Sequence, residues 1–242
     1  MNTDKYWDDP TQLWPSEGYL RICTNFASPL LVALAIAGCQ APDPRNERIF
    51  RRVDLNPATL TSLKGETVAA IPRDRAHSLD LVSGRFNGPA AIARNAMVKG
   101  NDIENPAPYI AQHLVESLAR DYGLRPLIVE NDAASDDPTL LSKQYSGATV
   151  LLDIQTLGWG FAGYPWNPSR FRVDYAVELR LISTARGDLL AKKNCSRFPS
   201  ESPEAPTQAE LLQNGAARLK EELLKAADYC IKQFRTEVFR EL

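Results

Sequence analysis

Residues 170–182 read Arg-Phe-Arg-Val-Asp-Tyr-Ala-Val-Glu-Leu-Arg-Leu-Ile, and this stretch decides the fold. Phe171, Val173, Tyr175, Val177, Leu179 and Leu181 alternate with Arg170, Arg172, Asp174, Ala176, Glu178 and Arg180. Successive side chains on a strand point to opposite faces, so a period of two predicts a strand with one buried and one wet face. Ala185-Arg186-Gly187-Asp188 follows; Gly187 can take the positive φ of a hairpin turn, and 189–198 then reads as the returning strand. Upstream, residues 149–157 (TVLLDIQTL) are largely apolar, with Asp153 and Gln155 interrupting one face, and read as a more fully buried strand. These three strands form an antiparallel meander.

Outside the meander, Leu127–Val129 reads as a short strand between helices at 107–122 and 138–145. The first helix has Pro106 and Pro108 at its start, Ile110, Leu114 and Leu118 four residues apart, and Gly123 placed to end it. Thr67–Ile71 is a further expected strand, and the alanine-rich Pro89–Val98 an expected close-packing helix. The last helix begins at a capping box, Thr207-Gln208-Ala209-Glu210. Its apolar stripe is Leu212, Ala216, Leu219, Leu223, Ala226, Cys230 and Phe234. Continuous to about Val238, it would run about 48 Å at about 1.5 Å per residue and cover the sheet. The expected fold class is therefore α/β in the α+β sense: a mixed sheet with an antiparallel three-stranded meander, covered by helices that include a long C-terminal one.

The chain has 242 residues, 44% hydrophobic and 24% charged, with 17 prolines spread along it. These values suit an ordinary globular protein, and residues 49–242 are expected to form one domain. The net charge of −2 comes from the first 38 residues, where Asp4, Asp8, Asp9 and Glu17 outnumber Lys5 and Arg21. The remainder is neutral and has no Lys/Arg-rich run, which excludes a phosphate-attracting field and with it nucleic-acid binding.

Residues 30–37 read LLVALAIA, followed by Gly38 and Cys39. Eight apolar residues match the hydrophobic region of a signal peptide and fall short of the roughly 20 that span a bilayer. The polar, proline-containing stretch 40–48 that follows suits a tether. A buried strand or short helix would be the plainer reading of the apolar run, but its position directly before this tether favours export. Ile36-Ala37-Gly38-Cys39 resembles the bacterial lipobox, and this part of the chain resembles the envelope lipoproteins of Gram-negative bacteria. The resemblance implies that residues 1–38 are a cleaved signal peptide, that Cys39 carries lipid, and that 39–48 tether the domain in the periplasm. By the family's sorting rule, Gln40 in place of Asp implies the outer membrane. Residues 1–29 are long and acidic for a signal, so translation is expected to start at Leu20, leaving 1–19 upstream of the true start.

With Cys39 and Cys23 accounted for, Cys195 and Cys230 remain. An oxidising compartment and an even residual count favour a disulfide between the last strand and the last helix, the alternative being two buried thiols. The histidines are His77 and His113; neither sits in a catalytic or zinc motif, and His113 reads as a partly exposed helix residue. The acidic run 131–137 lacks calcium-loop spacing and reads as a solvated loop with Asp137 capping the next helix. Arg186-Gly187-Asp188 reads as turn chemistry. No phosphate loop, dinucleotide fingerprint or nucleophile elbow occurs, so no cofactor, metal or catalytic residue is assigned.

The segment 158–168, Gly-Trp-Gly-Phe-Ala-Gly-Tyr-Pro-Trp-Asn-Pro, reads as an aromatic loop. Trp159, Phe161, Tyr164 and Trp166 form a candidate partner-binding surface there, unless they fold back to cap the sheet. The order of elements also resembles, more loosely, the auxiliary lipoproteins of transport systems and the domains of periplasmic assembly factors. That likeness implies a non-enzymatic binding or assembly component engaging another envelope protein; the alternative is a periplasmic hydrolase with an unrecognised site.

Overall fold

A five-stranded mixed sheet, with helices on both faces, organises the computed structural model. The described residues are 53–73, 100–101 and 103–240, and they lie in the unit Arg51–Leu242. The lipobox with Cys39, His77 and the expected helix at Pro89–Val98 fall outside them. The elements run α1 (Pro57–Ser62), β1 (Thr67–Ala70), α2 (Ala107–Tyr122), β2 (Arg125–Pro126), α3 (Pro138–Gln144), β3 (Val150–Tyr164), β4 (Asn167–Ser183), β5 (Leu189–Arg197) and α4 (Gln208–Phe234), followed by a wide π turn at Arg235–Phe239. The strand order is β2-β1-β3-β4-β5. β1 is parallel to both its neighbours, and β3, β4 and β5 form the antiparallel meander.

Alternation along the strands builds two cores. Val68, Val150, Leu152, Ile154, Leu179 and Leu181 face the larger one, where α2 contributes Ile110, Leu114 and Leu118 and α4 contributes Leu219, Leu223 and Phe234. Ala69, Leu151 and Ile182 point the other way, onto Leu141 and Tyr145 of the α3 region. The caps match the chemistry of their sequences. Asp137 accepts from the amides of Thr139 and Leu140, Thr207 and Glu210 form a reciprocal capping box, and Gly123 ends α2 in the left-handed region. Gly187, at φ +69°, closes the β4–β5 hairpin.

Three expectations are corrected. Residues 158–168 are no loop: β3 continues to Tyr164 and β4 starts at Asn167, so a long two-stranded arm replaces it. A bulge shifts the register between Thr156, opposite Val177, and Gly158, opposite Ala176. It moves the inward-facing set from even to odd positions, which breaks the alternation at the point where the strand was expected to end. The short second strand pairs at Arg125–Pro126, not Leu127–Val129; only Leu127 still donates to Val68 O, at 2.8 Å. The last helix is broken: Gln213 is extended and Asn214, Gly215 and Ala216 are left-handed. Asn and Gly tolerate that region, and the break turns Leu211 rather than Leu212 into the core.

Candidate functional site

The parallel part of the sheet is short because proline punctuates it. β1 stops at Ala70 before Ile71-Pro72, and β2 ends at Pro126; proline has no N–H to extend a ladder. α2 packs across these strand ends with small residues, Ala107 and Ala111, facing the gap. The result is a cavity of about 720 Å³ at the carboxyl ends of β1 and β2, the place where sheets of this connectivity hold ligands. Its lining is mostly aliphatic: Ala70, Ile71, Pro72, Ala107, Pro108, Ala111, Val115, Pro126, Leu127, Ile128, Val129 and Ile154, with Arg73, Gln112, Glu116 and Asp132 as the polar members. Ile128 is 88% exposed at this site. None of the described lining residues carries a hydroxyl, thiol or imidazole.

Arg73 does not offer its charge to the cavity. Its Nε and Nη2 donate to the two carboxylate oxygens of Asp153 at 2.8 and 2.7 Å, and Nη1 donates to Asp136 Oδ1 at 2.7 Å. Asp153, fully buried on β3, also accepts from Arg180 Nε at 2.8 Å and from Gln155 at 2.9 Å, and ion-pairs with Arg180 Nη2. Arg180 Nη1 donates to Asp136 O at 2.8 Å, so both arginines tie the 131–137 loop to the sheet. Burial alone would push the Asp153 carboxyl up. Hydrogen bonds and positive charge from Arg73 and Arg180 outweigh it and hold the carboxyl below its ordinary range. Across the strands the row continues, with Glu178 3.0 Å from Lys192. This face is a chain of neutralised pairs, and of its members Arg73 reaches the lining of the cavity.

The four aromatics fall on two sides of the arm's surface. Trp159, Phe161 and Tyr164 are buried: Trp159 stands opposite Tyr175, Phe161 meets Phe171 edge-on with centroids 5.9 Å apart, and the Tyr164 hydroxyl donates to Ser200 O at 2.9 Å. Trp166, at the hairpin tip, is 87% exposed. Cys195 and Cys230 form a disulfide between β5 and α4, with Cα atoms 5.6 Å apart. His113 is half-exposed on α2, against the Tyr109 ring and 3.9 Å from Glu116. Among the described residues no cluster of three or more His, Cys, Asp or Glu is placed to hold a metal, and no helix is long and apolar enough to cross a membrane.

Sequence reasoning missed the cavity and the Asp153 network. The signal that was present is a carboxylate in the middle of a buried strand, since an unpaired charge there would be prohibitively costly.

No family model matches the chain, and no curated protein matches it by sequence. Among solved structures, the C-terminal domain of LpoB from Salmonella enterica aligns with a TM-score of 0.29 and 12% identity, over 58% of this chain and 94% of its own. Lipoprotein GNA1162 from Neisseria meningitidis aligns at 0.29 and 17%, over 69% and 99%. The protein CT253 from Chlamydia trachomatis aligns at 0.35 and 9%, over 74% and 99%.

Proposed function

We propose that this chain is a lipid-anchored, non-enzymatic binding component of the cell envelope that takes an apolar polypeptide segment into the cavity at the ends of β1 and β2. The single observation that carries the reading is the composition of that cavity: aliphatic walls that continue onto the exposed Leu127 and Ile128. Apolar surface of this kind, left facing water, is the mark of a protein contact. Of the charged lining residues, Arg73 is consumed by Asp153 and Asp136 and Glu116 accepts from Gln112; with Asp132 they rim walls that are otherwise aliphatic, so the site selects chiefly for shape and apolarity. Acylated Cys39 would hold the domain at the outer membrane, facing the periplasm, and confine its partner to that compartment.

The test is a photoreactive phenylalanine at position 128 in living cells. A discrete crosslinked polypeptide is expected, and it disappears when Val115→Trp fills the cavity of a protein that still melts normally. An adduct indifferent to Val115→Trp, or no adduct, refutes the reading.

A further inference from the structure

We infer that the occupant of the cavity is a second copy of this chain: β3 pairs edge to edge with β3 of its mate, and each copy's Trp166 enters the other's cavity. This rests on the polypeptide-binding reading above and names the polypeptide.

β3 is paired to β4 from end to end, but β1 accompanies its other edge only from Val150 to Leu152. Ile71 donates to Leu152 O at 2.9 Å, and the chain then leaves the strand. From Ile154 to Tyr164 no strand among the described residues stands on that side of β3. Among the described residues, the backbone groups that point away from β4 there meet no partner strand, and another extended backbone can match such a row in register.

The remaining edges are blunted. Proline at position 126 has no N–H to offer on β2. Val53 exchanges hydrogen bonds with Lys192 of β5 at 3.2 and 2.9 Å, and Phe171 of β4 donates to Pro206 O at 2.8 Å. Residues 154–164 contain no Lys, Arg, Asp, Glu or Pro, so the segment carries none of the residues that blunt an edge and no charge that repels a copy of itself.

Length and symmetry select the occupant. A strand paired antiparallel with itself lies about a two-fold axis, and the open stretch has Trp159 at its middle. Ile154 of one copy then stands opposite Tyr164 of the other. The next residues of the second copy are Pro165 and Trp166, and they arrive where β1 of the first copy stops, beside Ile71 and Pro72 of the cavity wall. One operation thus completes two open edges and brings two exposed tryptophans to two aliphatic cavities.

A Cβ built on Gly160 meets nothing within 4 Å, so this position can be changed without disturbing the fold. Across the proposed axis, Gly160 and its mate are diagonal neighbours about 7–8 Å apart. In the full-length protein extracted in mild detergent, Gly160→Cys is expected to be joined by a short bis-maleimide into a species of twice the chain's mass. Sedimentation should give a dimer at micromolar concentration, weakened about tenfold or more by Trp166→Ala and abolished by Gly160→Lys, with the far-ultraviolet circular dichroism of the folded chain unchanged in both. A monomeric parent protein, or a dimer that survives Gly160→Lys, overturns the proposal. If the position-128 crosslinker in that monomer captures a different protein in a Val115-dependent manner, the dimer is refuted while the polypeptide-binding cavity stands.

Discussion

Asp153 on β3 and Arg180 on β4 stand directly opposite each other, and the buried carboxylate of the first is held by the guanidinium of the second and by that of Arg73. Removing one member of such a group leaves buried charge uncompensated. Asp153→Ala is expected to lower stability by about 3–5 kcal/mol, measured by urea unfolding at neutral pH.

The same carboxyl gives a pH signature. Its folded value is depressed, so the unfolded chain takes up the proton first. The stabilisation is complete above about pH 4 and is lost as pH falls through the folded value. The stability gap between the parent protein and Asp153→Asn should therefore be constant from pH 5 to 7, on the order of the plateau that linkage requires, and shrink below about pH 4. A gap that widens on acidification would contradict the ion-pair assignment.

Reducing the Cys195–Cys230 bridge, which spans 35 residues of sequence, should cost about 3–4 kcal/mol by the chain-entropy relation. In a domain of this size that corresponds to a fall of about 10 °C in Tm, read by calorimetry with and without reductant.

Gly187 combines a left-handed backbone, φ +69°, with a crowded site: an added Cβ would lie 2.9 Å from Ser142 Oγ and 3.0 Å from Thr139 Cα. Gly65, at φ +84°, has nothing within 4 Å. Gly65→Ala should cost about 1 kcal/mol of backbone strain alone and Gly187→Ala about 2 kcal/mol or more; thermal melts of the two variants separate strain from collision.

Cys39→Ser removes the proposed acylation site. One chain binds membranes marginally, whereas two or three hold firmly, so the variant should move from the membrane fraction to the soluble periplasm and lose label from a clickable palmitate analogue. Retention of both signals would place the anchor elsewhere.

The outcome at particular residues explains what could be read in advance. Phe171 to Leu181, the caps at Asp137 and Thr207 and the turn at Gly187 each depend on neighbours a few residues away, and each forms as its chemistry requires. Trp159 and Phe161 carried the same inward signal as Ile154, but displaced by one position at the bulge, so a continuing strand had the look of an aromatic loop. Likewise Asn214-Gly215 permits a break in the helix without compelling one.

By itself, the sequence determined the meander, the caps at Asp137 and Thr207 and the pair of cysteines able to meet, because these follow from local periodicity and composition. Tertiary structure alone decided that Arg73 reaches Asp153 across 80 residues of chain, that the parallel strands stop short and leave a cavity, and that β3 runs on past its pairing with β1. Such features depend on register between distant segments, where a shift of one residue exchanges the buried face for the exposed one.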